Sequence, residues 1–256
     1  AMNLIEQFTL PKGSKQVTVP KVGQMSMQDL TDGVDIVDEE DIGMTTVDLT
    51  ASEVGAKIIL TDKLVRQSAE NVFSMIGRQL GDGMARKKDV DVLSLYSGFS
   101  TDFGAAGRSM TLANVASAIA YAKGKKFGSN VYIVQHPFAV FDIANTAVTA
   151  STTYPVPVGW SADLLGNFFS GLRPINGVPI FEDGNITIDG SDDAVGVVAD
   201  KSALAVLKSV DMNKEQDRDI SLRATEIVIT ADYGVFELDD SKGVALTLDA
   251  GTPASA

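Results

Sequence analysis

The stretch Thr61–Gly98 reads TDKLVRQSAENVFSMIGRQLGDGMARKKDVDVLSLYSG. Val65, Ala69, Val72, Phe73, Ile76, Leu80 and Met84 recur at steps of three and four, the spacing of one helix face. Arg66, Glu70, Arg78, Asp82, Arg86 and Lys88 fill the other positions. Asp62 stands where an N-cap is expected and Gly98 where a helix stops. Unbroken, such a helix is about 50 Å long. Gly77, Gly81 and Gly83 each cost about 1 kcal/mol against alanine inside it. A long helix with a bend near Gly81–Gly83 is the expectation; two shorter helices, or close approach of another backbone, are the alternatives. Val72, Phe73, Ile76 and Leu80 form the predicted core face, packed on a sheet of C-terminal strands.

Upstream, residues 1–30 show little periodicity. Pro11 and Pro20 bracket GSKQVTV, which reads as an extended arm. Val17, Val19 and Val22 give the arm apolar surface to bury on a neighbouring chain. Residues 31–60 read as a long hairpin, with Val34 and Ile36 alternating around Asp35, and Val47 and Leu49 around Asp48. Between Val22 and Ala56 there are nine acidic residues and no Lys or Arg. The run Asp38-Glu39-Glu40-Asp41 lacks the spaced ligands and turn glycine of a calcium loop. It reads as a solvated or partner-facing tip.

Downstream, TLANVASAIAYA (Thr111–Ala122) is a predicted helix and NVYIVQ (Asn130–Gln135) a strand. Pro137 opens a second helix, as proline at a first turn allows. Residues 149–161 form a loop rich in Thr, Pro and Gly. Two short strands are expected around Asn176-Gly177. Asp183-Gly184-Asn185 and Asp189-Gly190-Ser191 read as turns, and Ala194–Val198 as an apolar strand. Asp211–Asp219 is a charged loop or strand tip. Alternation from Ile220 to Leu238 and the run Val244–Leu248 predict further strands.

The composition narrows function. The 256 residues carry a net charge of −13 and no cysteine. The charge argues against a nucleic-acid binder, which needs clustered Lys and Arg. Disulfides and thiolate chemistry are excluded. No apolar run approaches the ~20 residues of a membrane span, and the first residues lack a signal-peptide pattern. The single histidine, His136, precedes Pro137 and reads as structural. No G-x-S-x-G elbow, phosphate loop or His-rich metal spacing occurs. A calcium site at Asp189, Asp192 and Asp193 is weaker than the turn reading. The motif inventory names no catalytic residue, no cofactor-binding residue and no metal ligand, so no enzyme and no cofactor are expected.

The order of parts resembles the major capsid proteins of tailed bacteriophages, with their α+β Hong Kong 97-like fold. The resemblance is carried by VGAKIILTDKLVRQSAENVFSMIGRQLGDGMARKKDVDVLSLYSG, by NVYIVQHPFAVFDIA and by LRATEIVITADYGVFELDDSKGVALTL. It implies an N-terminal arm (1–30), an extended loop (31–60), a spine helix of a peripheral domain (61–101), an axial domain (102–205), and peripheral-domain strands with the tail (206–256). It implies self-assembly into hexamers and pentamers of an icosahedral head enclosing double-stranded DNA without sequence-specific binding. Implied partners are the chain itself, portal and scaffolding proteins and a decoration or cement protein, with no membrane. The implied place is the virion, after assembly in the host cytoplasm. No covalent crosslink site is matched.

Two other readings share the sequence. One is an encapsulin-type compartment shell, which has the same fold. The other is a metal-dependent hydrolase built on the acidic turns. The charge pattern itself names candidate contacts between subunits: Asp38, Glu39, Glu40 and Asp41 on one side, and Lys57, Lys63, Arg66, Arg78 and Arg86 on the other.

Overall fold

The computed structural model describes residues 1–22, 29, 43–68, 71–148 and 177–253. In chain order the strands and helices are β1 (Glu6–Thr9), β2 (Gln16–Lys21), β3 (Thr45–Thr50), β4 (Ser52–Thr61), α1 (Asp62–Gln67), α2 (Val72–Ser94), α3 (Leu112–Gly124), β5 (Val131–Gln135), α4 (Pro137–Val148), β6 (Ile180–Glu182), β7 (Asp193–Asp200), β8 (Leu204–Asp219), β9 (Ala224–Glu237) and β10 (Gly243–Asp249). They form two four-stranded sheets, ordered β1-β8-β9-β4 and β10-β7-β5-β6, and a two-stranded ribbon of β2 and β3. The mixture of helix and sheet agrees with the α+β expectation.

The decisive stretch is helical, but its break lies elsewhere than predicted. α1 ends at Gln67 and α2 begins at Val72, and α2 then runs unbroken through Gly77, Gly81 and Gly83. Two local caps explain the placement. The Thr61 side chain accepts from Leu64 N, so Thr61 rather than Asp62 caps α1. The Asn71 side chain accepts from Ser74 N and starts α2 afresh. Side-chain acceptors at these positions satisfy N–H groups that the helix itself leaves orphaned. A short 3-10 turn, Leu95–Gly98, closes the stretch.

Among the described residues nothing lies within 4 Å of a Cβ built on Gly77, Gly81 or Gly83, so no described backbone packs there. Gly77→Ala and Gly81→Ala are each expected to stabilise the unassembled subunit by up to about 1 kcal/mol. Chemical denaturation measures this; a loss of stability would mean that these positions are crowded after all. Gly196 behaves differently. A Cβ there would sit 2.4 Å from both Val134 O and Gln135 Oε1, so β5 and β7 approach only because the residue is glycine.

The first core joins α3, α4, β5, β7 and β10, and takes in Leu93 and Tyr96 from the end of the long helical stretch. The second lies between α2 and the β4–β9 face, and is built from Leu60, Leu80, Met84, Ile227, Ile229, Ala231 and Tyr233. The third holds the β2–β3 ribbon through Leu49, Ala205 and Leu207. The start of β8 is buried on both faces, because Leu204 and Val206 enter the first core while Ala205 and Leu207 enter the third. Period-two alternation lets one strand serve two cores.

The arm does not wait for a neighbour to give it structure. β1 pairs in parallel with β8, from Glu6 opposite Ala205 to Thr9 opposite Lys208. Ile5 is fully buried in the first core. The expected hairpin within 31–60 also differs. β3 pairs with β2 of the arm, and β4 pairs with β9 along ten register positions from Ser52–Tyr233 to Thr61–Ala224. Val34, Ile36 and the rest of residues 30–42 lie outside the described residues, as do the loop at 149–161 and Asn176. The charged stretch Asp211–Asp219 is the outer half of β8, paired with β9. Val244–Leu248, expected among the peripheral strands, instead pairs with β7 in the other sheet.

Candidate functional site

The first sheet and α2 carry the features that reach outward. Packing positions on α2 step by four: Val72, Ile76, Leu80 and Met84 meet β4 and β9. Phe73 does not belong to this face. It stays 38% exposed, because one residue turns a helix by about 100°. The predicted core set therefore loses Phe73 and keeps Val72, Ile76 and Leu80.

A polar buckle fastens the other end of α2 to the sheet. The Tyr233 hydroxyl donates to Asp91 Oδ2 at 2.6 Å. Burial and the Asp91 carboxylate both push this phenol above its usual range. Lys87 reaches Asp91 Oδ1 at 2.6 Å, one helical turn away. Lys88 donates to the Asp211 carboxylate at 2.6 Å and to its carbonyl at 2.7 Å. Its ammonium also stands 5.6 Å from the centre of the Tyr233 ring. Lys88 holds the Asp211 carboxyl below the usual range, chiefly through that hydrogen bond. Only the Lys87–Asp91 pair has a sequence signal, its i,i+4 spacing. The rest needs the fold to bring residues together.

At the far tip of the sheet, Arg218 forms a two-pronged bond with Asp62, at 3.1 and 2.8 Å. This fork lowers the Asp62 pKa, with the Arg218 hydrogen bond as the leading cause. The Asp219 carboxylate accepts from Ser221 N, Ser221 Oγ and Leu222 N, which shapes the turn between β8 and β9. Ile220 on that turn is 83% exposed, with Leu222 and the nearby Leu64 also exposed.

The basic candidates divide. Lys57 pairs with Glu226 of its own chain at 2.7 Å. Arg66 Nε donates to the Asp62 carbonyl at 3.2 Å. Lys63, Arg78 and Arg86 are exposed and have no ion pair among the described residues. Asp38, Glu39, Glu40 and Asp41 lie outside the described residues.

His136 is buried at the junction of β5 and α4. Its Nδ1 accepts from Phe138 N at 3.2 Å, so the ring caps the helix as a neutral side chain. Burial lowers its pKa, opposed by the charge of Asp183. The folded chain thus resists a proton that the unfolded chain takes up near pH 6.5. Stability should fall as pH drops through that value. The wild type is expected to lose melting temperature between pH 7.5 and 5.5 more steeply than His136→Asn, which keeps a capping acceptor. Parallel profiles would contradict the burial argument.

The acidic turns serve the backbone. Asp189 Oδ1 accepts from Ser191 N and Asp193 N at 2.8 and 2.9 Å. Asp193 Oδ1 accepts from Gly107 N at 2.6 Å. Among the described residues no group of three or more His, Cys, Asp or Glu is placed to hold a metal ion. No helix among them is long and apolar enough to cross a membrane.

No protein-family model matches this sequence, and no curated protein matches it. Solved structures do match, and phage capsids are among them. The capsid of Ralstonia phage GP4 aligns with a TM-score of 0.75 at 13% identity, covering 99% of this chain and 89% of that one. The head structure of Helicobacter pylori bacteriophage KHP40 gives 0.74 at 10% identity, covering 96% and 88%. The capsid structure of the cyanophage P-SCSP1u gives 0.70 at 14% identity, covering 97% and 87%. The chain has the fold of these phage capsid structures, which agrees with the family resemblance carried by its helix and closing strands.

Proposed function

We propose that this chain is the major structural subunit of a phage head, a shell protein and not an enzyme. The observation that carries the reading is the alignment of capsid structures over almost the whole chain. On this reading the Hong Kong 97-like layout applies, with β2 and β3 at the base of an extended loop. α2 and the β8–β9 ribbon belong to a peripheral domain, and the α3, α4, β5 and β7 layer to an axial domain. β10 then belongs to the axial sheet rather than to the peripheral strands. The subunit associates with itself as hexamers and pentamers around double-stranded DNA, with portal, scaffolding and decoration proteins as further partners.

Two physical features support a subunit built for assembly. Ile220, Leu222, Leu64 and Met212 are large apolar residues left exposed on the first sheet and its adjoining helix. Closed symmetric assemblies supply repeated surfaces that cover such residues. The run of nine acidic residues without a cation between Val22 and Ala56 also lacks compensation in its own stretch, and basic residues of a neighbour would supply it. Negative-stain microscopy of the purified chain tests the proposal. Closed shells, or rings of five and six, are expected; uniform small globules at every concentration would overturn it.

A further inference from the structure

α3 ends on a left-handed lysine. Phe127 N donates to Ala122 O at 3.1 Å and Lys126 N to Lys123 O at 3.1 Å. This pair of bonds closes the helix through Lys126, at φ +56°. Glycine is the usual occupant of that position, because a Cβ there crowds the following carbonyl oxygen. Phe127 is buried in the first core, which fixes the end of the helix in place. Lys125 N donates to Tyr121 O at 2.8 Å. Backbone N–H groups thus satisfy the carbonyls of Tyr121, Ala122 and Lys123, and the ammonium groups of Lys125 and Lys126 are not needed as caps. A lysine kept where glycine costs least points to a use for its side chain.

Lys126 lines a cleft of about 630 Å³ together with Lys21, Lys125 and Lys242. The cleft lies between the end of α3, the β2–β3 ribbon and the turn before β10. Its lining carboxylates are Glu6 and Asp239, so four ammonium groups against two carboxylates leave two positive charges in excess. Asp239 is already engaged, 2.6 Å from Lys21 and 3.9 Å from Lys242. Lys125 stands 5.8 Å from the centre of the Tyr121 ring. Among the described residues neither Lys125 nor Lys126 pairs with a carboxylate, and both are exposed. This is a cationic cleft in a chain whose net charge is −13.

We infer that this cleft binds a small phosphoanion, a chain of two or more phosphates, through the ammonium groups of Lys21, Lys125, Lys126 and Lys242. The inference is independent of the shell reading, because every group in it belongs to one chain. Lysine is a compact, hydrated charge without the planar fork of arginine, so four of them recognise charge rather than one fixed geometry. The volume falls within the ~300–1,000 Å³ of small-molecule sites. No aromatic side chain lines the cleft. A nucleobase therefore has no surface to stack on, and phosphates alone carry the binding. A small anion settles among the four ammonium groups, whereas a continuous nucleic-acid backbone would also run along Glu6 and Asp239. The site has a structural consequence. Lys21 belongs to β2, Lys125 and Lys126 follow the end of α3, and Lys242 precedes β10. An anion held by all four ties the β2–β3 ribbon to the other two elements. Because it binds only the folded chain, it stabilises that chain by mass action.

Calorimetric titration of the full chain with sodium tripolyphosphate, at constant ionic strength and in a phosphate-free buffer, tests this. One ion should bind per chain, and less tightly as salt rises. The melting temperature should climb with tripolyphosphate concentration. Lys125→Gln with Lys126→Gly removes two charges and places glycine where the backbone is left-handed. Without the ion this variant should melt no lower than the wild type. It should nevertheless bind tripolyphosphate roughly tenfold more weakly or worse, the loss expected of two charge-assisted hydrogen bonds. Arg78→Gln with Arg86→Gln removes two charges from α2 instead and should leave binding unchanged. A wild type that does not bind the ion would overturn the inference. Equal weakening in both variants would do so too, since it would mean general attraction to cations rather than a site. A short DNA duplex, titrated in parallel, separates the sources of phosphate. If the duplex binds and the lysine variant loses it, while tripolyphosphate does not bind, the small-anion assignment is wrong. Whether the chain goes on to form shells alters none of these readings, so the cleft and the shell reading fail separately.

Discussion

Leu80→Ala is expected to destabilise the unassembled subunit by about 2–5 kcal/mol, and Phe73→Ala by the smaller amount of about 1–2 kcal/mol. Leu80 is buried between α2 and the sheet, among Leu60, Met84, Ile227 and Ile229. Removing its branched end leaves a cavity that the two strands cannot collapse into, because β4 and β9 are tied along ten register positions. Phe73 lies off that face and stays 38% exposed, so its removal forfeits partial burial and opens no enclosed cavity. Net stabilities of single domains lie near 5–15 kcal/mol. Leu80→Ala therefore removes a large share and depletes folded subunits before assembly starts. Urea denaturation of both variants measures the contrast. Equal losses would mean that α2 is rotated from the orientation described.

That contrast also shows how far the sequence was legible. A spacing of three and four located the helix and three of its four core residues. It could not decide between Val72 and Phe73, which are adjacent and both apolar. α3 and α4 read well because their signals are local. α3 starts one residue after the predicted Thr111, which caps it, and Pro137 opens α4 where the sequence suggested. The glycines of α2 misled, since glycine weakens a helix without breaking one that is held by a packed face. The break came from Asn71, a capping residue hidden inside an otherwise periodic run.

Strand partners were less legible, because pairing is non-local. Nothing in GVALTLD says that it joins β7 rather than β9. The outer half of β8 carries charges on both faces and so shows no alternation. The buckle of Asp91, Tyr233, Lys88 and Asp211 joins residues more than 100 positions apart, with |i−j| of 142 and 123. The Asp62–Arg218 fork spans 156 positions. Such pairs become visible only once the register of the sheet is known.

The second large effect concerns assembly. Replacing Asp38, Glu39, Glu40 and Asp41 by Asn or Gln is expected to slow assembly at low salt by roughly tenfold or more, the scale of electrostatic steering. Each exposed pair contributes only about 0–1 kcal/mol, but every copy in a shell repeats the contact. The wild type should assemble more slowly as salt rises, because the Debye length falls from ~10 Å at 0.1 M to ~3 Å at 1 M. The neutralised variant should show a flat salt dependence, since apolar contacts are left to drive it. Light scattering across a salt series follows both. A variant that retains the salt sensitivity of the wild type would show that these carboxylates are not in contact.

Size-exclusion chromatography of the purified chain with in-line light scattering asks whether it is a shell subunit at all. A single chain has a mass of 27.0 kDa. Assembly into a closed shell predicts a sharp multi-megadalton peak, separated from free subunits and small rings, with little mass between. A chain that stays a monomer or small oligomer over the whole concentration range would contradict it.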